Sequence, residues 1–163
     1  MKAKEHYKAA VYLRLSRDDE ERGGARQESD SIGSQREMIR SYIRQQGNME
    51  IYDVYVDDGY SGVNFNRPEF QRMMKDIRAG NVDCVIVKDL SRLGRDYIEA
   101  GRLIQKTFPA FCVRFIALTD HFDSLTADDN ERSMVVPVKN FVNDSYARDI
   151  SDKVRSHLKV KRE

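Results

Sequence analysis

Three short stretches of this chain set arginine beside groups that a phosphate would meet. They are Tyr12-Leu13-Arg14-Leu15-Ser16-Arg17, the turn from Asp57 to Pro68 that carries Arg67, and Leu90-Ser91-Arg92-Leu93-Gly94-Arg95. A serine hydroxyl amid fixed positive charge can attack a phosphodiester. The guanidiniums stabilise charge developing on the non-bridging oxygens, and that stabilisation requires no metal. Guanidinium suits the task because it is planar, permanently charged and able to hold two phosphate oxygens at once. The chemistry this pattern points to is phosphoryl transfer.

Each stretch alone has a bland reading. Ser16 and Arg14 lie two apart on a strand and project from one face, yet a strand-terminal serine beside a surface arginine is commonplace. Arg92 and Arg95 are three apart at the start of a helical turn, with Gly94 allowing close backbone approach, and alone they would be a solvated helix terminus. Arg67 follows a loop with Gly59, Ser61 and Gly62 that is flexible enough to close on a ligand, or it is simply a charged turn residue. All three stretches follow the ends of runs that read as strands. Open α/β sheets put their sites at such ends, so the constellation outweighs its members.

The elements that must position these residues alternate along the chain. Strands are expected at Ala9 to Leu15, Ile51 to Val56, Val82 to Val87 and Val113 to Leu118. Between them, Ile32, Met38, Ile39, Tyr42 and Ile43 recur at helical spacing up to Gly47. Pro68 suits the first turn of a helix from about Glu69 to Ala79, stopped by Gly80, and Asp96 to Phe108 reads as an amphipathic helix. Arg17 to Asp30 and Asp120 to Asn130 read as polar loops. The order β-α-β-α-β-α-β predicts an α/β fold with a mostly parallel, doubly wound sheet flanked by helices.

After this unit the character changes. Met134, Val135, Val138, Phe141, Val142, Tyr146, Ile150, Val154 and Leu158 recur at three- and four-residue spacing, with Pro137 in the first turn or at a kink. A helix that long cannot bury its stripe on one small domain, so residues 131–163 are expected to form an oligomerisation helix beside a catalytic unit at 1–130. Lys153, Arg155, Lys159, Lys161 and Arg162 then form either a solvated face or a track for a DNA backbone.

Composition narrows the classes. At 163 residues and 40% apolar content the chain can fill one core, and a net charge of +1 argues against coating nucleic acid indiscriminately. Any DNA contact must come from local patches. Cys84 and Cys112, without metal-ligand spacing, read as buried core thiols of a reducing cytosol, and no run approaches membrane-spanning length or a signal peptide, so a cytoplasmic protein is expected. Asp120, His121 and Asp123 are the nearest approach to a metal cluster, but they read as turn and capping residues; neither metal nor cofactor is expected.

The YLRLS run at 12 to 16, the Ser31-Ile32-Gly33-Ser34-Gln35 stretch, the DDGYSG turn with Arg67-Pro68, and SRLGRD at 91 to 96 together resemble the catalytic domain of serine site-specific recombinases, the resolvase and invertase family. The segment Tyr146 to Ser151 and the long loop from Arg17 to Asp30 are similar to the large serine recombinases of Gram-positive mobile elements. The resemblance implies a resolvase-like three-layer sandwich and a site-specific DNA recombinase. Ser16 would be the nucleophile, forming a covalent 5′-phosphoserine. Arg14, Arg67, Arg92 and Arg95 would grip the scissile phosphate, and Gln35 would help position the site. Arg17, Ser61, Lys153, Arg155 and Lys159 would contact DNA. The partners would be double-stranded DNA and further copies of the chain, as a dimer and, on synapsis, a tetramer.

One departure stands out. Many resolvases carry aspartate where this chain has Ser91, which leaves the general base for Ser16 unassigned; Asp89 and Asp58 are candidates that spacing does not separate. A catalytically weak DNA-binding or assembly module is the alternative, with the arginines as backbone clamps, and a metal-dependent phosphatase or nuclease is a third. The chain shows no zinc motif or compact helix-turn-helix, so target recognition is expected to reside beyond Glu163.

Overall fold

The computed structural model describes residues 2–15, 32–58, 67–94 and 97–127. Strand β1 (Tyr7–Leu15) is apolar on both faces and lies inside the sheet, between two parallel neighbours, as expected of a doubly covered strand. It is followed by α1 (Ile32–Gln46), β2 (Met49–Asp58), α2 (Pro68–Arg78), β3 (Cys84–Val87), the short turn α3 (Leu90–Leu93), α4 (Tyr97–Arg102), β4 (Arg114–Ala117) and β5 (Phe122–Asp123). The sheet order is β2-β1-β3-β4-β5; β1 to β4 run parallel, and β5 is antiparallel to β4.

This order decides where the helices go. From β1 the chain steps to one side to reach β2, then crosses back past β1 to β3 and continues to β4. Right-handed crossovers therefore send α1 to one face and α2 and α4 to the other. The two cores agree. Val11, Leu13, Cys84, Ile86 and Ile116 pack with Ile39 and Ile43 of α1. Ala10, Tyr12, Val85, Val87 and Phe115 pack with Phe70, Met73 and Ile77 of α2 and Ala100 of α4. The expected three-layer α/β arrangement is present.

Strand β2 contains an irregularity that matters for the site. Its register with β1 shifts between Ala9 and Ala10: Ala9 lies opposite Ile51, but Ala10 lies opposite Asp53. Side chains alternate, so one extra residue exchanges the faces of everything after it. Ile51 packs on the α1 side, whereas beyond the shift it is Val54 and Val56 that do so, and Tyr55 turns to the α2 side. Asp57 follows Tyr55 onto that face.

Three expectations need correction. The polar stretch after Thr119 is not wholly loop: Phe122 is buried against Phe115, ring centroids 6.1 Å apart, and pairs as β5. The helix expected over Asp96 to Phe108 is not uniformly α. After α4 it continues through a π turn, Leu103–Thr107, into Phe108–Ala110, where Pro109 has no N–H to donate and crowds the carbonyl four residues back. Cys112 is not in the core. It ends this helix exposed, at φ 55°, with its N–H on the Pro109 carbonyl (3.0 Å) and the Val113 N–H on the Phe108 carbonyl (2.9 Å). Such a C-terminal closure ordinarily takes glycine. Cys84 is buried, as expected. The loop expected over Arg17 to Asp30 and the helix expected over 131–163 lie outside the described residues.

Candidate active site

Strands β2 and β3 flank β1 on opposite sides, so the chain leaves the carboxyl ends of β1 and β3 toward opposite faces. In open parallel sheets such a divergence marks the crevice where ligands bind. Arg14 is the penultimate residue of β1, and Arg92 lies in α3, just past the end of β3. Arg67 immediately precedes α2. Far apart in sequence, all three converge at this crevice. Arg14 and Arg67 are 0% exposed and Arg92 6%, values that surface arginines do not reach.

Arg14 and Arg92 brace the two strand ends. The Arg14 guanidinium donates from Nη2 to the Ser91 carbonyl (2.8 Å) and from Nε to the Arg92 carbonyl (3.3 Å). In return Arg92 Nη1 donates to the Arg14 carbonyl (3.1 Å). Gln35, fully buried on α1, joins from the opposite face. Its Nε2 donates to the Arg14 carbonyl (3.2 Å), and its Oε1 accepts from the Arg14 N–H (3.4 Å). A buried amide that matches one residue's donor and acceptor acts as a short piece of strand. It fixes the chain at the residue pair before position 16.

Arg67 is held differently. Pro68 confines the residue before it to extended backbone, and Arg67 sits at φ −112°, ψ 130°. Its Nη1 donates to the Tyr12 hydroxyl (2.8 Å) and its Nη2 to the Leu93 carbonyl (2.5 Å). The Tyr12 hydroxyl in turn donates to Asp57 Oδ2 (2.9 Å). Asp57, 1% exposed, also accepts the Glu69 N–H (3.1 Å) and the Phe70 N–H (2.9 Å), so a carboxylate from β2 caps the first turn of α2. The register shift in β2 makes this possible, since it places Asp57 on the same face as Tyr12. Burial, the larger effect, pulls the Arg67 pKa down, and burial together with the neighbouring Asp57 charge pushes Tyr12 far up. Arg67 stays charged and Tyr12 stays neutral at physiological pH.

A third group holds the α3 turn. Asp89 accepts a hydrogen bond from the Ser91 hydroxyl and lies 3.5 Å from Arg92 Nε. A carboxylate two residues before position 91 is thus tied both to the serine that stands there and to Arg92. Asp120 Oδ2 accepts the Leu90 N–H (2.6 Å) from an exposed position, and partial loss of hydration around its carboxyl raises its pKa. Asp123 forms a two-point ion pair with Arg114 (3.0 and 2.5 Å). Asp120 thus meets the start of α3, and Asp123 also accepts the Leu125 N–H (2.9 Å) in its turn. Among the described residues no group of histidine, cysteine and carboxylate side chains is arranged to hold a metal.

Of the expected site residues, Arg14, Gln35, Arg67 and Arg92 come together. Ser16, Arg17, Ser61, Arg95, Lys153, Arg155 and Lys159 lie outside the described residues. Asp58, one of the two candidate bases, is exposed at the end of β2, whereas Asp89 is occupied with Ser91 and Arg92. Sequence reasoning missed Tyr12 and Asp57. Tyr12 carried a signal, because it shares the Arg14 face of β1 at a two-residue spacing.

The arrangement sets three guanidiniums against the carboxylates of Asp57 and Asp89 in a poorly solvated crevice, where charge acts more strongly than in water. No helix among the described residues is long and apolar enough to cross a membrane.

Comparison with known proteins points the same way. The structure is similar to the N-terminal catalytic domain of TP901-1 integrase, with TM-score 0.66 and 27% identity over 88% of this chain and 98% of that one. It shares its fold with a resolvase family site-specific recombinase from Streptococcus pneumoniae, at TM-score 0.63 and 24% identity over 96% of this chain and 99% of that one. In sequence it is 30% identical over 70 residues to the uncharacterized immunity region protein 3 of Bacillus phage phi105, a match spanning 43% of this chain and 78% of that protein. Residues 9–163 match the family described as the resolvase N-terminal domain, so the chain belongs to the resolvase family of serine recombinases.

Proposed function

We propose that this chain cuts and rejoins double-stranded DNA at a specific site through a covalent 5′-phosphoserine, in the integration or excision of a mobile element. The observation that carries this reading is the convergence of Arg14, Arg67 and Arg92 at the end of the strand that leads directly into Ser16. The Ser16 hydroxyl attacks the phosphorus of a DNA phosphodiester. A bond forms between Oγ and phosphorus, the bond from phosphorus to the 3′ oxygen breaks, and that oxygen leaves as a 3′ hydroxyl after taking a proton. The guanidiniums of Arg14, Arg67, Arg92 and Arg95 hold the non-bridging oxygens as negative charge builds on them. Attack by a 3′ hydroxyl on the phosphoserine reverses the step.

One phosphodiester is exchanged for another, so rejoining needs neither nucleotide nor metal. The similarity to an integrase catalytic domain supports integration as the setting. Gln35 contributes by fixing the main chain of Arg14. Arg17, Ser61, Arg95 and the basic residues Lys153, Arg155 and Lys159 supply further DNA contacts, and residues 131–163 assemble dimers and, at synapsis, tetramers.

The test is incubation of the chain with a random-sequence duplex pool in the presence of EDTA, followed by denaturing electrophoresis. Covalent complexes whose released DNA ends are 3′ hydroxyls extendable by a polymerase are expected. Cleavage that appears only with a divalent ion, or that leaves extendable ends without attached protein, would rule the mechanism out.

A further inference from the structure

We infer that Tyr12 is a positioning residue for Arg67, and that Asp57 fixes the direction in which Tyr12 acts. Both oxygens of the Asp57 carboxylate act as acceptors, receiving the N–H groups of Glu69 and Phe70. Tyr12 must therefore donate its hydroxyl proton to Asp57, at 2.9 Å. This leaves the phenol oxygen as acceptor toward Arg67, whose Nη1 lies 2.8 Å away. Carboxylate, phenol and guanidinium form a one-way chain, in which each hydrogen bond polarises the next.

The packing around the chain restricts Arg67 further. Its guanidinium carbon lies 5.5 Å from the Tyr12 ring centroid and 5.1 Å from that of Phe70, and the two rings meet edge to face at 5.8 Å. With one edge on the phenol and the other nitrogen on the Leu93 carbonyl, the guanidinium plane is set in a fully buried site. Asp57 also caps α2, whose preceding residue is Arg67, so one carboxylate sets both the backbone and the side chain of that arginine. Tyr12→Phe keeps the ring but removes the oxygen. The Arg67 Nη1 then loses the phenol oxygen as acceptor, and the guanidinium is expected to lose its fixed plane.

This inference rests on the proposed role of Arg67 at the scissile phosphate, and two measurements separate their fates. In the first, side-chain NMR follows rotation about the Arg67 Cζ–Nη bonds in the intact chain without DNA. Slow rotation is expected in the wild type and averaged Nη protons in Tyr12→Phe. In the second, single-turnover cleavage of the random-sequence duplex pool is compared for wild type, Tyr12→Phe, Arg67→Lys and the double variant, with urea unfolding as a control for stability. Tyr12→Phe is expected to slow cleavage about ten- to a hundred-fold when Arg67 is present, as a misplaced group does, and less than about two-fold in the Arg67→Lys background. Unchanged Arg67 rotation in Tyr12→Phe, or additive losses across the cycle, would overturn the inference. A wild-type chain that does not cleave would count against the proposed function alone, because the rotation measurement still decides the role of Tyr12.

Discussion

Arg14 and Arg92 hold each other's main chain: Arg14 donates to the carbonyls of Ser91 and Arg92, and Arg92 donates to the carbonyl of Arg14. The two guanidiniums brace the end of β1 against the turn after β3. If they also grip the scissile phosphate, as proposed, substitutions here will disturb fold and chemistry together.

Replacing either arginine with lysine is expected to damage both stability and activity. Lysine keeps the charge but cannot reach two carbonyls along a planar fork. Arg14→Lys is expected to lose about 1–3 kcal/mol in urea unfolding, the usual cost of a buried hydrogen bond to a charged group left unmade. Adduct formation should fall by about a hundred-fold or more, as when one transition-state donor is removed. A variant with wild-type stability and wild-type yield would show that the clasp is incidental.

Gln35 pairs both ends of its amide with Arg14 from a fully buried position; without it the Arg14 N–H loses this acceptor, while the Arg14 carbonyl keeps the hydrogen bond from Arg92. Gln35→Leu is expected to destabilise the chain by about 1–3 kcal/mol, the usual cost of one buried polar group left unpaired. Hydrogen exchange at the Arg14 amide should accelerate more than at Val11. Equal protection at both amides would separate Gln35 from the end of β1.

Cys112 occupies a left-handed position, φ 55°, that glycine adopts without strain. Cys112→Gly is expected to raise stability by about 0.5–1 kcal/mol, measured by thermal unfolding. The same geometry separates the thiols. In the native protein a thiol reagent should label exposed Cys112 and leave Cys84 untouched, because burial pushes the Cys84 thiol far up. Rapid labelling of Cys84 would contradict its place in the core.

Two aspartates are expected to give opposite pH dependence. The hydrogen bond from Arg72 holds the Asp53 carboxyl below its usual range, so Asp53 contributes stability above an unfolded pKa of about 4, lost as pH falls through the lower folded value. Partial loss of hydration holds the Asp120 carboxyl above its usual range. Its contribution is present below about pH 4 and is lost as pH rises through the folded value. Unfolding in urea between about pH 3 and about pH 7 should show a smaller acid loss in Arg72→Met and a smaller loss on the rising side in Asp120→Asn. Parallel profiles for all three proteins would refute both assignments.

The layers of the fold were legible because apolar runs alternate with helical spacing and because Gly47 and Gly80 stop their helices, both at positive φ. Strand β5 was not: Phe122 and Asp123 are too few residues to show a period. In the site, Arg14, Arg67 and Arg92 were legible from residue type and from position after strands. Asp57 was hidden by the register shift in β2, because strict alternation from Ile51 puts every odd-numbered residue of β2 on the α1 face, away from Tyr12. A bulge is set by pairing with β1, which no local pattern reveals. The contact of Asp89 with Ser91 and Arg92 likewise becomes visible only once the α3 turn folds these residues together.

The most direct measurement is peptide mapping by tandem mass spectrometry of the denaturation-resistant complex between the chain and duplex DNA. A nucleotide remnant attached through phosphate to Ser16, and its disappearance in Ser16→Ala, is the expected result. An adduct on any other residue, or a Ser16→Ala chain that still forms one at the wild-type yield, would contradict the central claim that the arginines of this crevice serve a phosphate attacked by Ser16.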